Sequence, residues 1–382
     1  MNTPAYITPT VLKWARVRSD LSVDELAHKT QVSADRIRQW EEGVARPSFR
    51  QAQHVAGALH VPFGYLFLSE PPEEKVPIPD FRRSAGANTK ASPNLIDLLN
   101  DVLAKQQWYK ELVQQAGGSP LPMVGRFTQQ EKPNVVAKDI ATTLGLEYGS
   151  KVPTEEYFKY LASLCEDAGI LVMKSGIVGG NPHRTLDPGE FRGFAISDPI
   201  APLVFVNGTD FKAAQVFTLA HELAHVWLGT TGISNERMDD LEQDTPLERL
   251  CNAVAAELLV PAEDFEWKTS FDVDTNVQRI SARFRVSRFV ALRRALDMGA
   301  IPKDEFNQQY EKYAAFYKKQ EDEQASGGNF FPTLFVRNSN RFTTSVIEAV
   351  GEGRALYREA AQLLNVKVPT LKKVADYLES KA

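Results

Sequence analysis

The sequence predicts a mainly helical chain with one small α+β part, and three observations carry that reading. The first 68 residues form a series of short helical patterns separated by tight breaks. Between residues 170 and 207 three short apolar runs, ILVM, GFAIS and LVFVN, read as strands and lead directly into an amphipathic helix. From Phe342 to Leu378 the tail is helical again.

Bulk composition bounds the function. With 382 residues, 43% hydrophobic and 24% charged, the chain has the make-up of a globular protein of several domains. A formal net charge of -5 excludes a chain-wide basic field, so any contact with nucleic acid must come from a local patch. Two cysteines, Cys165 and Cys251, with no CxxC pattern, argue against a disulfide scaffold or a cysteine zinc site. No apolar run is long enough to cross a bilayer, so a cytoplasmic protein with no membrane partner is expected.

Residues 1–69 are expected to be one module. Val11, Leu12 and Trp14 mark its first helix, and Leu21-Ser22 opens a second that carries Leu26 and Ala27. Ser33 is the expected N-cap of a third helix, SADRIRQWEEG, which Gly43 stops. FRQAQHVAGAL and the segment around PFGYLFL complete five short helices. A tight turn between the second and third is the layout of a DNA-binding helix-turn-helix. If Ile37 and Trp40 face the core, then Asp35, Arg38 and Gln39 point away from it toward base edges. Ser33, Arg36, Arg46 and Arg50 then become candidates for phosphate or groove contacts. Eight Lys or Arg against six Asp or Glu in these residues give a modest positive balance, so a homodimer spanning two half-sites is expected.

The proline- and acid-rich SEPPEEKVPIPDF, residues 69–81, marks residues 70–93 as a linker, and 94–149 reads as a helical connector. A further helix, TEEYFKYLASLCEDAG, precedes the strands. Residues 150–300 hold the chemistry and 301–382 a helical extension. Within the former, ISARFRVSRFVALRRALDMGAI looks like another helix-turn-helix with Val286-Ser287 at its turn. No repeat of fixed period is visible.

The helix after the strands spells TLAHELAHVWLG. Residues four apart on a helix share a face, so His221 and His225 can hold one metal ion. Zn2+ suits two neutral imidazoles with one more protein ligand and an open position. Glu222, beside the first histidine, is placed to act as general base toward an attacking water. The best third ligand is Glu248 in LERLCNAVAAELLVP, with Asn252 one turn on to orient a ligating histidine from behind. Glu257 lies half a turn away and fails, whereas Asp239, Glu242 and Asp244 remain rivals in an expected loop.

FTLAHELAHVWLG, followed by LERLCNAVAAELLVP and preceded by FRGFAISDPIAPLVFVN, resembles the ImmA/IrrE metallopeptidase family over roughly residues 150–300. That resemblance implies a gluzincin-like minimal protease fold, His221, His225 and Glu248 as zinc ligands, Glu222 as base, and endopeptidase action on a regulatory protein. LSVDELAHKTQVSADRIRQWEEGVARPS resembles the XRE or lambda-repressor-like helix-turn-helix family, which implies operator DNA as a partner. The tail GGNFFPTLFVRNSNRFTTSVIEAVGEGRALYREAAQLLNVK resembles an extension found in a subset of such fusions. It implies a second expectation, an antitoxin that holds a PIN-like nuclease toxin and represses its own operon, with zinc mainly structural. Arg354, Tyr357 and Arg358 then mark either a partner surface or a solvated helix face.

Overall fold

The computed structural model describes residues 3–80, 91–148, 152–235, 245–323 and 329–380. Its contacts divide the chain into two units, Met1–Val76 and Pro77–Ala382. Among the described residues no helix is long and apolar enough to cross a membrane.

The first unit comprises α1 (Pro9–Arg18), α2 (Val23–Thr30), α3 (Ala34–Glu41), α4 (Phe49–Ala58) and a 3-10 segment, Phe63–Phe67. Leu12, Ala15, Leu26, Ile37, Trp40, Val55 and Leu66 form its core. The fifth helical pattern is realised as 3-10 because only five residues lie between Pro62 and Leu68, too few for a stable α-helix. Ser22 opens α2 with a reciprocal cap: its hydroxyl accepts from Glu25 N at 3.1 Å, and the Glu25 carboxylate accepts from Ser22 N at 2.7 Å. Gln31, in the left-handed region at φ 54°, turns the chain into α3. Ser33 takes the N-cap position, but its hydroxyl makes no cap bond. The Arg36 N–H donates instead to the Ser33 carbonyl at 3.0 Å. Arg16 Nε donates to Glu41 Oε1 at 2.7 Å and ties α1 to the end of α3.

The second unit begins with α5 (Pro93–Gln115), α6 (Pro133–Leu144) and α7 (Tyr157–Asp167), then β1 (Leu171–Ser175), β2 (Gly193–Ile196) and β3 (Leu203–Asn207). Next come α8 (Lys212–Trp227), β4 (Gly232–Ser234), α9 (Pro246–Leu259), α10 (Val273–Phe284), α11 (Arg288–Asp297) and α12 (Lys303–Glu323). The chain ends with α13 (Phe330–Asn338), α14 (Asn340–Gly351), α15 (Tyr357–Leu363) and α16 (Val368–Glu379).

The sheet runs β1-β3-β2-β4, with β1 parallel to β3 and the other two pairings antiparallel. Strand β4 and helix α6 are additions to the elements expected from the sequence. Three residues of β4 are too few to show a period, and pairing with β2 alone defines them as a strand. Beyond β4, Ile233 N donates to Pro79 O at 3.0 Å, so the end of the proline-rich segment is held at this edge. Helix α6 packs on α9 and on α8.

Helix α8 lies over β2 and β3 and against α9, and every residue from Ala214 to Trp227 is buried. Helices α10 and α11 do meet at a tight turn with Arg285 left-handed, but α11 buries Phe289, Val290, Ala291, Leu292 and Ala295. It packs on α8 and α9, so it is core and cannot enter a DNA groove. The C-terminal helices are fixed to the unit by polar ties. Ser339 Oγ donates to Glu166 Oε1 at 2.5 Å, and the buried Lys105 Nζ reaches Asp101 Oδ2 at 2.6 Å and Asn338 Oδ1 at 2.9 Å.

Candidate metal centre and nucleic-acid interface

Helical geometry puts His221 and His225 one turn apart on α8, and local capping brings Glu248 to them. The Thr245 hydroxyl accepts from Glu248 N at 3.3 Å with Pro246 at the first helical position, so α9 starts where Glu248 sits in its first turn. Glu248 Oε2 is then 3.0 Å from His221 Nε2, and Oε1 is 3.5 Å from His225 Nε2. All three side chains are buried, and their ligand atoms lie within 4.8 Å of one another.

The outer nitrogens of both rings are engaged. His221 Nδ1 is 3.0 Å from Asn252 Oδ1, an acceptor, so Nδ1 carries the proton and donates. His225 Nδ1 is 2.9 Å from Thr230 Oγ1, whose own hydrogen goes to the His225 carbonyl at 3.3 Å. Both Nε2 atoms face inward, 3.1 Å apart, against the Glu248 carboxylate. Two imidazole nitrogens and a carboxylate converging in a buried site form an arrangement that a cation stabilises. The donor set fits a divalent metal held by His221, His225 and Glu248. Thr230 joins the candidates read from the sequence. Its place follows from the end of α8, where Gly229 at φ 69° reverses the chain and Thr230 N bonds His225 O at 2.9 Å.

Glu222 is fully buried beside this cluster, and among the described residues its carboxylate oxygens meet no partner in good hydrogen-bonding geometry. Burial, opposed by His221 and reinforced by the Glu248 charge, pushes its carboxyl up to about 8. Burial also acts to raise Glu248, but the contacts with both imidazoles overcome it and bring the group down to about 2.

A narrow pocket reaches Glu222, lined by Arg192, Phe217, Thr218, His221 and Ser234. Arg192 pairs with Asp210 at 2.8 Å, and Ser234 Oγ lies 3.4 Å from His225 Nε2. Neither is among the sequence candidates, because short strands alone place them. Asp239, Glu242 and Asp244 lie outside the described residues. Glu257 lies apart, paired with Arg294 and accepting from Ala262 N at 3.1 Å.

In the first unit Ile37 and Trp40 are buried, while Ser33, Asp35, Arg36, Arg38, Gln39, Arg46 and Arg50 are all exposed. Three of these, Asp35, Arg38 and Arg46, have intramolecular partners. Arg38 contacts Asp35 at 2.8 Å and Asp24 at 3.7 Å, and the Arg46 guanidinium sits 4.0 Å over the Tyr6 ring.

Residues 12–66 match a helix-turn-helix family, residues 165–296 match the peptidase family described as the IrrE N-terminal-like domain, and residues 338–377 match a domain of unknown function, DUF8813. Among curated proteins none is similar enough to this chain to count as a match.

Proposed function

From a chain that joins an XRE-type helix-turn-helix domain to an ImmA/IrrE-like peptidase domain, we propose a DNA-binding transcriptional regulator whose second unit is a zinc endopeptidase acting on a regulatory protein. The observation that carries the peptidase reading is the inward convergence of His221, His225 and Glu248 beside a buried Glu222. Two imidazoles and one carboxylate suit Zn2+, which when bound supplies a Lewis acid for the scissile carbonyl and for water.

The chain's own residues supply the rest. Asn252 and Thr230 fix the tautomer and tilt of the two rings. A Glu222 oxygen takes the proton from the attacking water and returns it to the departing amide nitrogen, the work of a general base and then a general acid. The closed apolar surroundings of α8 keep bulk water out. In the first unit the exposed N-terminal face of α3 reads operator DNA, with Arg38 exchanging Asp24 and Asp35 for base edges.

Glu222→Gln tests the peptidase half. Metal content measured by elemental analysis stays at one zinc per chain, while cleavage of the co-expressed regulatory partner is abolished. A variant that still cleaves sinks Glu222 as base, and a wild type that retains no metal sinks the zinc site itself. For the DNA half, Ser33, Arg38 and Gln39 changed together to alanine remove sequence-specific operator binding.

A further inference from the structure

The three helices α14, α15 and α16 reproduce α1, α2 and α3 position for position. Ala349 is buried where Ala15 is, Val346 where Leu12 is, and Ala360 where Leu26 is. Glu359 caps α15 by accepting from Leu356 N at 3.4 Å, as Glu25 accepts from Ser22 N at 2.7 Å. Asn365 turns the chain at φ 53°, as Gln31 does at φ 54°. The next residue is valine in both, and Val366 N bonds Ala361 O at 2.9 Å as Val32 N bonds Ala27 O at 3.2 Å. Leu371 and Val374 are buried on α16 in the places of Ile37 and Trp40 on α3.

The turn alone means little. Arg285-Val286-Ser287 makes the same turn with the same bond, Val286 N to Ser281 O at 3.2 Å, yet α11 is buried. What distinguishes α16 is that its outer face is open. Lys367, Lys372 and Lys373 are exposed, as are Arg358 at the start of α15 and, on the approach to it, Arg354, which pairs with Glu352. The opposite side is anchored, with Phe342 against Trp108 at 5.8 Å and Trp108 Nε1 donating to Glu359 at 2.8 Å.

Charge complementarity names the occupant. Where the first module has Asp20, Asp24 and Asp35, this one has Arg354, Arg358 and Pro369, and where the first has Arg38 and Gln39, this one has Lys372 and Lys373. The face is the more cationic of the two, and helix-turn-helix geometry points it at one groove and its flanking phosphates. We propose that α14–α16 is a second DNA-binding module, which takes duplex DNA through Arg354, Arg358, Lys367, Lys372 and Lys373.

The test uses the full chain with the first module disabled by Ser33→Ala, Arg38→Ala and Gln39→Ala. Binding of a mixed-sequence DNA duplex is followed by fluorescence anisotropy across a salt series. The expected result is residual binding that falls at least about tenfold when Arg358, Lys372 and Lys373 are also changed to alanine. The slope of log affinity against log salt then drops by roughly 2 to 3, close to 0.9 for each phosphate that is no longer neutralised. Lys372→Arg with Lys373→Arg retains binding. All these side chains are exposed, so unchanged thermal unfolding accompanies the weaker binding. No residual duplex binding in the parent overturns the proposal. So does an unaltered affinity and slope in the alanine variant, including the case in which those substitutions change only self-association in sedimentation.

Discussion

Gly193 has no room for a side chain. A Cβ there would lie 2.7 Å from Glu222 Oε1, 2.8 Å from Thr218 Cγ2 and 3.0 Å from the Phe205 carbonyl. The last is backbone, so the strand cannot yield, and the added methyl must push α8 and the Glu222 carboxylate away. Gly193→Ala should therefore destabilise the second unit by about 1 to 3 kcal/mol, as overpacking does. It should also depress peptidase activity more than metal content. Equal activity per bound metal in variant and wild type would show that Glu222 tolerates the shift. The dipeptide before Phe194 is legible as sequence, but which atoms lie above Gly193 is not, because Glu222 and Phe205 reach it from other elements.

At the scale of elements, α8 carries its motif among residues buried on all sides, and its neighbours decide what is charged. Lys174 on β1 lies 3.9 Å over the Phe158 ring and donates to Gln215 Oε1 at 3.0 Å. Burial, with a smaller push from Lys212, lowers its ammonium to about 8. In the unfolded chain a lysine keeps its proton to about 10.4. Between those values the unfolded state binds more protons, so this group makes stability rise as the pH rises. Lys174→Met should remove that rise: the melting temperature of the wild type relative to the variant should climb from pH 8 to pH 10. Parallel curves over that range would mean that Lys174 keeps an ordinary affinity for its proton. The apolar run in ILVMKS marks β1 as a strand, yet nothing local indicates that its lysine lies over an aromatic ring from α7.

For the molecule as a whole, each unit has its own apolar core, one built on Leu12, Ile37 and Trp40 and the other around α8 and α9. A ligand that binds only the native second unit should raise only that unit's stability. Calorimetry should therefore resolve two transitions, of which chelator treatment lowers one and leaves the other in place. Arg16→Met, which strands the largely buried Glu41, should do the converse. A single transition that moves as one under both changes would show that the two units unfold together.

Local rules made much of this protein legible in its sequence. The apolar spacing, the capping serines and the left-handed turns produced the short helices of the first module, because each depends on neighbours a few residues away. The four-residue spacing of His221 and His225 placed both on one face for the same reason. The tertiary structure alone decided which acceptors meet. Thr230 and Ser234 meet His225 from the turn after α8 and from β4, and β4 exists only through its pairing with β2. It also decided that α11 is core while α16 is open, although both follow the same turn. The bend at a turn is a property of a few dihedral angles, whereas exposure depends on everything packed against the helix that follows.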